Sequence, residues 1–148
     1  MNYWIFVLRS KNIASDQRFS QLLNKKNWGF QSSCPVKNKI NSLQKDDIIL
    51  FYLGGQDCKY FVGEARIASG VYHPDREIIG GPENYKLDSM VSFDKIDLWN
   101  SKKLYLTSEI RNRLNFIKNK DNWGMTFGQA IIKISENDYY DIKKLIDS

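Results

Sequence analysis

Asp46-Asp47-Ile48-Ile49-Leu50-Phe51-Tyr52-Leu53-Gly54-Gly55-Gln56-Asp57 is the stretch that decides the fold, together with the run Tyr60-Phe61-Val62-Gly63-Glu64-Ala65-Arg66-Ile67-Ala68 behind it. Ile48 to Leu53 is an unbroken apolar run, rich in β-branched and aromatic side chains, and reads as a strand. The Gly-Gly-Gln-Asp segment has hairpin chemistry. In the second run Phe61, Gly63, Ala65 and Ile67 alternate with Val62, Glu64, Arg66 and Ala68, the period-2 pattern of a sheet strand. Gly63 within it marks a bend or a close approach of backbones, as a barrel corner requires.

Outward from this hairpin the pattern is mixed. Tyr3-Trp4-Ile5-Phe6-Val7-Leu8, closed by the polar group Arg9-Ser10-Lys11-Asn12, reads as a buried first strand. Ser15-Asp16 cap a helix whose Phe19, Leu22 and Leu23 form one apolar stripe, and residues 25–36 read as an irregular segment. Residues 70–85, with His73-Pro74, Gly80-Gly81 and Pro82, read as a long loop, and 86–99 as a long or bent strand. A short helix over 107–114, a strand over 127–134 and a last helix opened by Ser135-Glu136-Asn137-Asp138 complete the order. Strands joined by hairpins, with helices at the periphery, predict a small α+β domain built on an open or closed barrel. No linker, long repeat or low-complexity tract divides residues 1–148, so one domain is expected.

Composition bounds the function class. Twenty aromatic residues among 148 exceed what one small core needs, so some rings are available to line a pocket. Cys34 and Cys58, 24 positions apart, read as reduced thiols rather than a disulfide framework, with one disulfide as the alternative. No segment approaches the roughly 20 apolar residues that cross a bilayer, and the expectation is a soluble, cytoplasmic protein. The net charge is +5, and residues 101–120 carry Lys102, Lys103, Arg111, Arg113, Lys118 and Lys120 against Glu109 alone, an excess equal to that of the whole chain. Such a segment suits a polyanion; a lysine-rich composition, 16 Lys to 6 Arg, is the blander account.

Little in the sequence suggests catalysis. One histidine, His73, without a thiolate pair nearby makes a poor zinc site, and Cys34 with His73 carries no local nucleophile signature. Asp46, Asp47, Asp94 and Asp97 fall at strand ends, where solvated charge is the ordinary reading. The glycine pairs match no phosphate-binding loop. No cofactor and no metal is expected.

Asn-Trp-Gly occurs twice, as Asn27-Trp28-Gly29 behind Lys25-Lys26 and as Asn122-Trp123-Gly124 behind Lys118 and Lys120. An indole beside a glycine and close to lysines can stack on a flat ring while ammonium groups meet phosphate, the chemistry of an unstacked-base site. The alternative is that each Trp is a core residue next to a turn.

The order of these features resembles the EVE domain. The motifs concerned are the Tyr-Trp-Ile-Phe strand, the Arg9-Ser10-Lys11-Asn12 turn, the Asn-Trp-Gly segment, the strand from Lys45 to Tyr52 and Phe61-Val62-Gly63-Glu64-Ala65. The stretch from Leu114 through Trp123-Gly124-Met125 and Phe127-Gly128 to Glu136-Asn137-Asp138-Tyr139 is similar to the archaeal and bacterial branch of that family. The resemblance implies a PUA-like pseudo-β-barrel of about six strands with peripheral helices, related to the YTH readers of methylated adenine. It implies a non-catalytic nucleic-acid-binding module whose aromatic pocket accepts a flipped, modified base of RNA or DNA. Trp28 would be the stacking wall, Ser10 and Asn12 the readers of the base edge, and Trp123 or Tyr72 a second wall. Lys25, Lys26, Lys118 and Lys120 would contact phosphate. Rival readings are a nucleoside-binding protein or hydrolase of the PUA-like superfamily, and a protein-interaction module.

Overall fold

The computed structural model describes residues 1–8, 19–20, 27–30, 37–54, 59–73, 78–80, 85–87, 89–99, 104–118, 121 and 123–147. The predicted hairpin is β3 (Ile48–Leu53) with β4 (Tyr60–Ile67), antiparallel and in register from Ile48 opposite Arg66 to Leu53 opposite Tyr60, with a bulge between Phe51 and Tyr52. Beside it lies β1 (Tyr3–Leu8), parallel to β3 along its whole length. A parallel pair needs a crossover connection, and residues 9–47 supply it.

Around this centre the sheet extends to seven strands. Six follow the order β2 (Asn27–Phe30), β7 (Ser89–Leu98), β4, β3, β1, β9 (Ile131–Ile134), and β8 (Leu104–Tyr105) pairs β4 off that path. A separate hairpin joins β5 (Ile78–Gly80) and β6 (Tyr85–Leu87). The sheet is strongly curled. Phe6 of β1 and Phe30 of β2 sit four strand steps apart in the path, yet their rings meet at 5.2 Å. Gly63 explains part of the curl: a Cβ there would lie 2.6 Å from the Asp97 carbonyl oxygen, so β4 and β7 approach as only a glycine permits. The β4–β7 register slips between Glu64 and Arg66, and Lys95 in β7 takes φ 48°, the left-handed conformation of a bulge.

Strand alternation sorts the apolar side chains into two cores. Trp4, Phe6 and Leu8 point into the curl, where Trp28, Phe30, Phe51 and Phe93 join them. Tyr3, Ile5 and Val7 point the other way, onto Tyr52, Phe127 and the buried face of the last helix, α3 (Glu136–Asp147), through Tyr139, Ile142 and Ile146. Both faces of β1 are covered, which is why all six of its residues are buried.

Several elements differ from the sequence reading. Residues 25–36 contain β2, a strand formed by its pairing with β7. A five-residue helix, α1 (Lys37–Asn41), follows and buries Ile40 in the inner core. Residues 70–85 include β5, and the strand expected from 127 begins only at Ile131, Phe127 lying in a 3₁₀ helix, Trp123–Gly128. The helix near 107–114 is present as α2 (Ser108–Arg113), capped by Thr107. Of the helix expected after Ser15-Asp16, only Phe19 and Ser20 are described, and both are helical.

Candidate nucleic-acid interface

Trp28 sits in the middle of β2, opposite Val91, and its side chain points into the curl. Its ring stacks on Phe51 at 5.4 Å with an interplanar angle of 28°, and meets Phe6 at 5.8 Å, Phe93 at 6.2 Å and Phe19 at 6.3 Å. Four of these five rings are carried by strands β1, β2, β3 and β7; Phe19 alone comes from a helical segment. At 6% exposure the Trp28 indole is part of the inner core, the blander of its two sequence readings, while remaining the outermost-strand member of an aromatic lining.

The second Asn-Trp-Gly tryptophan is on the other side of the sheet. Trp123 packs edge-on against Phe127 at 5.9 Å, Phe127 stacks on Tyr52 at 4.0 Å, and Tyr52 faces away from its neighbour Phe51, the partner of Trp28. Arg111 lies over the Trp123 ring at 4.6 Å and donates a hydrogen bond to the Leu106 carbonyl. The structure therefore does not bring Trp123 and Trp28 to one pocket. Tyr72 is 38% exposed and bridges Met90, whose partner on β2 is Gly29. Directly paired residues share a face, so Tyr72 lies on the face opposite Trp28. Val71, one residue earlier, packs on the inner core as this alternation demands. Ser10, Asn12, Lys25, Lys26 and Lys120 lie outside the described residues.

Lys118 is exposed and lines an open cleft of about 380 Å³ at the β9 edge of the sheet. Lys39 of α1 and Lys133 of β9 line the same cleft. Sequence reasoning passed over both. Lys133 carries a faint signal, a charge flanked by Ile132 and Ile134 on a strand, but nothing local places Lys39 beside it.

The carboxylates divide between surface and interior. Asp46, Asp94 and Asp97 are solvated, as their positions suggested. Arg66 grips Asp94 with two hydrogen bonds of 2.9 Å, which hold the Asp94 carboxyl below its ordinary 3.8. Asp47 corrects the expectation of solvated charge: it is 0% exposed, and its oxygens accept from the Asn2 N–H at 2.9 Å, the Trp4 Nε1–H at 2.9 Å and the Gln44 N–H at 3.0 Å. Asp138 is buried likewise and accepts the Asn115 and Phe116 N–H groups at 3.0 Å each. Glu64 accepts from Tyr139 and Lys143. Burial and that Glu64 contact push the Tyr139 phenol well above its ordinary value, so it stays a donor. Asp47 and Asp138, both buried, and the half-buried Glu64 each close a packing joint. Among the described residues no group of three His, Cys, Asp or Glu is placed to hold a metal ion, and no helix is long and apolar enough to cross a membrane.

Comparison with known proteins agrees with this architecture. The family model described as EVE domain matches residues 2–145. UPF0310 protein PH1033 of Pyrococcus horikoshii is 28% identical over 158 aligned residues, which cover 99% of both chains. Among solved structures, human THYN1 in complex with 5-methylcytosine-containing DNA superposes with a TM-score of 0.63 at 11% identity, covering 100% of this chain and 99% of its own. The YTH domain of Zygosaccharomyces rouxii MRB1, in complex with N6-methyladenosine RNA, gives 0.54 at 16% identity over 97% of this chain and 86% of its own. The likeness to these two structures is one of fold, the PUA-like α+β arrangement of a curled sheet with few helices.

Proposed function

Since the chain belongs to the EVE domain family, we propose that it is a non-catalytic module that accepts a flipped, modified base of RNA or DNA in the aromatic interior of its curled sheet. The observation that carries this reading is the five-ring cluster around Trp28, the residue to which the resemblance gives the stacking wall. Two fold relatives solved with methylated nucleic acid support it. The non-catalytic part is supported by the packing roles of Asp47, Glu64 and Asp138.

Burial dictates how a base would be received. The Trp28 face is covered, so a base must replace a ring contact, and among the four rings that meet it Phe19 is the one not carried by a strand. Losing an edge contact costs about 0.5–1.5 kcal/mol, and base stacking returns about 1–3 kcal/mol. A buried methyl adds about 0.8 kcal/mol, a factor of roughly four, so discrimination between bases needs edge hydrogen bonds as well. Ser10 and Asn12 are proposed for that role, with Lys25, Lys26, Lys118 and Lys120 at phosphates.

Fluorescence anisotropy with labelled oligonucleotides, with and without N6-methyladenine or 5-methylcytosine and in both RNA and DNA, tests the reading. The parent should prefer one modified oligonucleotide, and Trp28→Phe should lose most of that preference while its melting curve stays cooperative. A folded Trp28→Phe protein that keeps the parent's preference would refute the assigned site.

A further inference from the structure

We infer that the cleft at the β9 edge is a binding groove for consecutive phosphates of a single-stranded nucleic acid, held by Lys39, Lys118 and Lys133. This rests on the nucleic-acid reading above and extends the phosphate role proposed for Lys118 to Lys39 and Lys133, in a contact region distinct from the aromatic interior. Three lysines from three separate segments, α1, the turn after α2, and β9, line one open cleft of about 380 Å³. Their charge is not spent within the described residues, where none of the three takes part in a salt bridge. Lys39 donates to the Gln129 side chain and to the Ile131 carbonyl at 3.2 Å, both neutral acceptors, which aim its ammonium group without neutralising it. Lys133 lies 5.8 Å above the Trp4 ring. The carboxylate in the lining, Asp138, is buried, accepts two backbone N–H groups and makes no salt bridge with the lysines, so the lining sets three positive charges against one negative. The lining otherwise offers neutral donors such as Asn115, which suit phosphate oxygens.

The cleft is within reach of the base site. Lys133 covers Trp4, Phe6 follows two residues along the same face of β1, and Phe6 meets Trp28 at 5.8 Å. The path is roughly 20 Å long.

The experiment measures binding of an unmodified single-stranded oligonucleotide across a salt series, beside binding of the free methylated nucleoside, which has no phosphate. Each phosphate contact contributes a slope of about 0.7 in log K against log salt for a single strand. The triple variant Lys39→Gln, Lys118→Gln, Lys133→Gln should therefore flatten the slope by about 2 and weaken binding about 100-fold at 0.1 M salt. Its melting curve and its nucleoside binding should stay at parental values, and Lys→Arg at the same positions should restore the slope. An unchanged slope in the folded triple variant overturns the groove, even where the nucleoside still binds and the base site stands. Loss of slope with no nucleoside binding by the parent supports the groove and refutes the base site. Failure of the parent to bind any oligonucleotide while it captures poly-glutamate through these lysines also overturns it, in favour of an acidic protein partner.

Discussion

Asp47 shows how one side chain can join distant parts of the chain. Its two oxygens, themselves buried, tie Asn2, the Trp4 indole and the Gln44 amide to the start of β3. Replacing it with alanine leaves the buried Trp4 Nε1–H unpaired, at about 1–3 kcal/mol, and removes the acceptor of two part-buried backbone N–H groups as well. Asp47→Ala should lower the unfolding free energy by about 3–5 kcal/mol in urea titrations, and a loss under 1 kcal/mol would mean that water reaches those donors. Local sequence could not reveal this role, because two of its three donors lie more than 40 positions away. Trp28 raised the opposite difficulty. Its residue type and neighbours left a stacking platform and a core residue both open, and pairing with β7 turns it inward.

At the level of elements, strands with strong internal patterning could be read directly. β1, β3 and β4 follow their apolar runs to within a residue, and the Gly63 anomaly correctly marked the close β4–β7 approach. β2 and α1 were not legible: four residues including a glycine, and five residues with one buried apolar side chain, have no periodicity of their own and form through tertiary contacts. Gly63→Ala should cost about 1–3 kcal/mol, the range for forcing atoms into a packed site, because the new methyl meets a backbone carbonyl that cannot rotate away. Thermal melts would check this, and an unchanged midpoint would show that β7 can retreat. Across the same strand pair, Asp94 has its proton affinity lowered by Arg66 when folded. Its stabilising contribution is therefore present above the unfolded carboxyl value and lost as pH falls through the lower folded value. The gap in melting temperature between parent and Asp94→Asn should be widest near neutral pH and close as pH falls below the ordinary carboxylate range. It should also shrink in high salt, since both side chains are partly exposed.

The whole molecule is organised by one curled sheet that separates two aromatic sets, and this separation decides which rings can share a ligand. Trp28, Phe6, Phe51 and Phe93 lie inside the curl, whereas Trp123, Phe127 and Tyr52 lie outside it under α3 and the 3₁₀ segment. The two Asn-Trp-Gly repeats looked equivalent in sequence because the tripeptide carries no information about which sheet face its ring will cover. That choice is made by strand parity, through Phe51 and Tyr52 as adjacent residues of β3. Trp123→Ala should therefore behave unlike Trp28→Phe. It removes an edge contact with Phe127 and the surface over which Arg111 rests, so stability should fall by about 1–3 kcal/mol. The preference for a modified over an unmodified oligonucleotide should remain within twofold of the parent's, because no atom of Trp123 shares a face with the Trp28 cluster. Anisotropy titrations of the two variants, run side by side at a temperature where both are folded, distinguish the cases. A Trp123→Ala protein that loses the preference while Trp28→Phe keeps it would move the base site to the outer face.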